Sequence, residues 1–125
     1  MTPIRSTTTP VALGDLTTRL LVDRFAANLV GADNADQNQC FRRAAALVVQ
    51  GTILRLQATL PCGILARRDL IAALHLPPRE LAAFAAQGDP AVRNVIPSAF
   101  AAGALSYSDK LVLNLVAAVA SKLAA

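Results

Sequence analysis

Between Phe41 and Leu60 the side chains Phe41, Ala45, Val48, Val49, Thr52, Ile53, Leu56 and Leu60 recur at the three- and four-residue spacing of a helix. The stripe they form is too wide for a helix that meets its neighbours along one line. It predicts a central helix, from about Asp36 to Leu60, with other elements packed on more than one side. Arg42, Arg43, Gln50 and Arg55 fall outside the stripe and are expected to face outward. Pro61 and Gly63 end the helix.

The rest of the chain reads as shorter helices separated by strong stop signals. A first helix is expected from about Leu13 to Gly31, with Asp15 in or before its first turn and an apolar stripe of Leu16, Leu20, Leu21, Phe25 and Leu29. The acidic, polar stretch from Ala32 to Gln39 is a loop or leads into a cap. After the linker from Cys62 to Ala66, a short helix is expected over Arg67 to His75. A fourth starts at Pro78, whose missing N–H needs no partner in a first turn, and stops at Gly88. Asp89-Pro90 opens another short helix, which Pro97 ends. Phe100 to Tyr107 carries no clear signal. Ser108 is the expected cap of a last helix with Leu111, Leu115, Val119 and Leu123 along one face. No strand alternation and no repeat is visible. The expected fold is all-α, a compact orthogonal bundle of five to seven helices over residues 13–125, preceded by a loose Thr-rich arm over residues 1–12.

Composition agrees and narrows the function classes. Of the 125 residues 54% are hydrophobic, mostly Ala and Leu, whereas aromatics are 4% and Trp is absent, which disfavours a β-sandwich or barrel. No run of about 18 apolar residues indicates a spanning helix. The start of the chain has no apolar core of a signal peptide. Cys40 and Cys62 fit no metal spacing and read as reduced thiols of a cytoplasmic protein.

Chemistry has few carriers. The phosphate-cradling patterns GxxxxGK[ST] and GxGxxG are missing. The single histidine, His75, sits where it can satisfy free carbonyls at a helix end. Glu80, the single glutamate, and Asp15, Asp69, Asp89 and Asp109 all lie at expected helix starts, where capping and the helix dipole account for them. These residues predict no enzyme, no cofactor, no metal and no small-molecule substrate. Function then rests on binding. The net charge of +4 fits either solubility or an acidic partner. The basic residues are almost all arginine, with the pairs Arg42–Arg43 and Arg67–Arg68, and Arg79 further on. Such groups hold phosphates or carboxylates bidentately, or else form a solvated helix face. Leu70, Leu74, Leu76 and Leu81 also fall near the apolar positions of a helix-turn-helix. Its second helix, however, offers a base edge little beyond Arg79 and Gln87.

Two blocks together carry a family resemblance: QCFRRAAALVVQGTILRL over 39–56 and RDLIAALHLPPRELAAFAAQGDPA over 68–91. Their order, with the closing helix from Ser108, resembles the all-alpha domain of the conjugative coupling proteins of type IV secretion, where that domain is inserted in a hexameric motor ATPase. The resemblance covers roughly Phe25 to the end and lies mostly in Ala and Leu patterning. It implies a substrate-recognition domain at the cytoplasmic mouth of the motor, at the inner membrane. Its partners would be relaxosome or secreted substrate proteins, DNA, and the motor domain itself. No ATP-binding sequence flanks the helices, so the motor activity is not implied for this chain. Arg42, Arg43, Arg67, Arg68 and Arg79 are the candidate contact residues, on charge alone. The rival expectations are a stand-alone DNA-binding helix-turn-helix-like module and a helical scaffold that oligomerises.

Overall fold

The computed structural model describes residues 19–31, 38–60 and 65–124. The arm over residues 1–12, Asp15, Leu16 and Cys62 therefore lie outside the described residues. Among the described residues there are six α-helices, in the order α1 (Arg19–Val30), α2 (Gln39–Thr59), α3 (Arg67–Leu74), α4 (Pro78–Gly88), α5 (Val92–Val95) and α6 (Tyr107–Ala124), with a 3-10 turn at Pro97–Phe100. Among the described residues there is no strand. The fold is all-α, as the sequence requires. No helix of the described residues is long and apolar enough to cross a membrane.

The central helix is α2. It packs against α1, α3, α4, α5 and α6. The stripe residues Ala45, Val48, Val49, Thr52, Ile53 and Leu56 are buried, and Thr52 ties its hydroxyl back to the Val48 carbonyl at 2.8 Å. Close contact with α4 comes from two glycines. A Cβ on Gly51 would stand 2.4 Å from the Ala85 carbonyl oxygen, and one on Gly88 would stand 1.9 Å from the Gly51 carbonyl oxygen. The two backbones touch, so Gly88 does more than stop its helix.

Local signals place most helix ends. Gly31 ends α1 with φ +78, the left-handed conformation that a side chain disfavours, and its N–H donates to the Ala27 carbonyl at 2.9 Å. His75 follows α3, and its Nδ1 bonds the Ile71 carbonyl at 2.8 Å. Pro78 opens α4. Asp89 accepts from the Ala91 N–H at 3.1 Å ahead of α5, and Asp69 accepts from the Ala66 N–H at 3.3 Å at the start of α3.

Several expectations need correction. Leu20 is 58% exposed, because α1 buries Val22, Phe25 and Ala26 instead. Gln50 is buried, not outward, and donates to Asp89 Oδ2 at 3.1 Å; Arg42 and Arg55 are half-buried. On α6 the most buried side chains are Val112, Leu113, Val116, Val119 and Ala120, so its inner face is turned by about one residue from Leu111–Leu115. The cap of α6 is Ser106 rather than Ser108: its Oγ accepts from the Asp109 N–H at 3.2 Å. For Gln50 and Ser106 the contacts with Asp89 and Ser98, not the local pattern, set the orientation or the boundary.

Candidate partner-binding surface

The five candidate arginines all sit near helix N-termini, and the fold treats them differently. Arg42, in the opening of α2, is half-buried; its Nε donates to the Gly31 carbonyl at 3.1 Å. Lys122 of α6 donates to the Leu29 carbonyl at 3.1 Å. Two cations thus serve the carbonyl end of α1, where the helix dipole favours positive charge.

Arg79, the second residue of α4, is also committed inside the chain. Its Nη1 donates to the carbonyls of Ser98, Ala99 and Ala101 at 3.3, 3.2 and 2.8 Å, and its Nη2 donates to the Gly103 carbonyl. The planar fork of donors suits a loop whose carbonyls converge, which a lysine cannot match. The loop passes through Gly103 at φ +98. Its far end is pinned by Ser98. The Ser98 N–H donates to Asp109 Oδ2 at 2.8 Å, the Ser98 hydroxyl donates to the same carboxylate, and the Ser106 N–H donates to Ser98 Oγ at 2.9 Å. Replacing Arg79 by alanine is expected to lower stability by about 1 kcal/mol, because these acceptors are partly solvated and recover water. The check is hydrogen exchange: amides of residues 98–106 should lose protection while those of α2 keep theirs.

Arg43, Arg67 and Arg68 are exposed, and among the described residues they make no hydrogen bond or ion pair within the chain. Arg67 and Arg68 are the first two residues of α3. There a cation opposes the helix dipole, and Asp69 in the same turn offsets it only in part. Two exposed guanidinium groups side by side at one helix start attract anions.

α3 rests mainly on α6 and α2, and α4 on α2. The outer face of α4 carries Arg79, Glu80, Ala83 and Gln87, and the first of these holds the loop. Set against family models, curated proteins and solved structures, the chain matches none. Among the described residues no group of three or more His, Cys, Asp or Glu side chains converges on a metal position. Cys40 is exposed and free at the start of α2. An apolar hollow of about 190 Å³ lies between Phe41 of α2 and Leu111 and Leu115 of α6, bordered by Asn38, Arg42 and Asn114. It brings together no nucleophile and base.

Proposed function

We propose that this chain is a non-catalytic recognition domain that docks on an anionic surface of its partners through the arginines at the start of α3. The observation that carries the reading is the split among the arginines: Arg42 and Arg79 hold the chain's own carbonyls, whereas Arg43, Arg67 and Arg68 stand in solvent. The likeness to the recognition domain of conjugative coupling proteins supports the same reading. In that setting the partners are relaxosome or secreted substrate proteins and DNA, and the place is the cytoplasmic mouth of the motor.

The test is binding of labelled duplex and single-stranded DNA across salt. Each arginine on a phosphate contributes about one unit to the slope of log affinity against log salt. Replacing Arg67 and Arg68 together by alanine is expected to lower that slope by about two without lowering the thermal midpoint, since both cations oppose the dipole of α3. A wild-type protein that binds DNA with a slope indifferent to both substitutions would remove these arginines from the contact. Absence of DNA binding at low salt leaves acidic protein surfaces as the partner, to be read with the same variants.

A further inference from the structure

We draw no further inference here: the strongest candidate, the apolar hollow of about 190 Å³ between Phe41 of α2 and Leu111 and Leu115 of α6, is an unpartnered apolar face, and nothing in the structure shows what covers it.

Discussion

Gly88→Ala is expected to destabilise the domain by about 3 kcal/mol or more, seen as a fall in the thermal midpoint of roughly 10 °C. The added Cβ would meet the Gly51 carbonyl oxygen at 1.9 Å and the Arg55 backbone nitrogen at 2.7 Å. Both are backbone atoms inside α2, so no rotamer change relieves the clash and the helices must separate. Separation opens the contact on which Leu81, Ala82, Ala85 and Ala86 of α4 are buried. Gly51→Ala acts on the same contact from the other side, against the Ala85 carbonyl at 2.4 Å. It recovers about 1 kcal/mol of helix propensity, since Gly51 lies inside α2, and is expected to cost less than Gly88→Ala. Total stabilities are commonly about 5–15 kcal/mol, so either change is a large fraction of the whole. A Gly88→Ala protein that melts with the wild type would show that α2 and α4 do not meet backbone to backbone.

The second large effect is expected at Asp89. Replacement by alanine should lower stability by about 2–4 kcal/mol, from two additive losses. The carboxylate accepts from the Ala91 N–H in the turn between α4 and α5, and truncation removes that bond. It also accepts from the buried Gln50 amide at 3.1 Å, and burial makes a lost partner expensive there. Asp89→Asn keeps a side-chain oxygen for one of these donors and is expected to lose less. Urea denaturation of the two variants, with equal slopes, measures the difference. If Asp89→Ala unfolds within about 0.5 kcal/mol of the wild type, the buried pair adds nothing to this fold.

How much of this was legible beforehand varies by residue. The stripe Ala45–Val48–Val49–Thr52–Ile53–Leu56 is buried as its spacing predicts, because a wide apolar face has few other places to go. Gly31, His75 and Pro78 end or begin helices as their chemistry predicts, since caps act within a few residues, whereas Asp89 follows the end of α4 and α5 starts only at Val92. Gln50 departs from its expected outward position because an amide off the stripe is normally solvated, whereas its partner lies 39 residues away. Ser106, not the expected Ser108 two residues on, caps α6, and the contacts of Ser98 with Ser106 and Asp109 favour it. Gly88 reads as a helix stop, and nothing near it in sequence signals the close approach of α2.

The candidate surface shows the same division. Five arginines at helix starts are equivalent as sequence, and charge alone nominates all of them. Only the folded chain separates Arg79, whose acceptors lie 19 to 24 residues further on, from Arg67 and Arg68, which meet water. Periodicity, caps and stops operate over a turn or two of helix, so the amino-acid sequence by itself determined the all-helical class, the central helix and most of the breaks. Which face of each helix turns inward, which glycines are pressed against a carbonyl and which cations stay free are distances between segments far apart in the chain. Those were decided only when the helices packed.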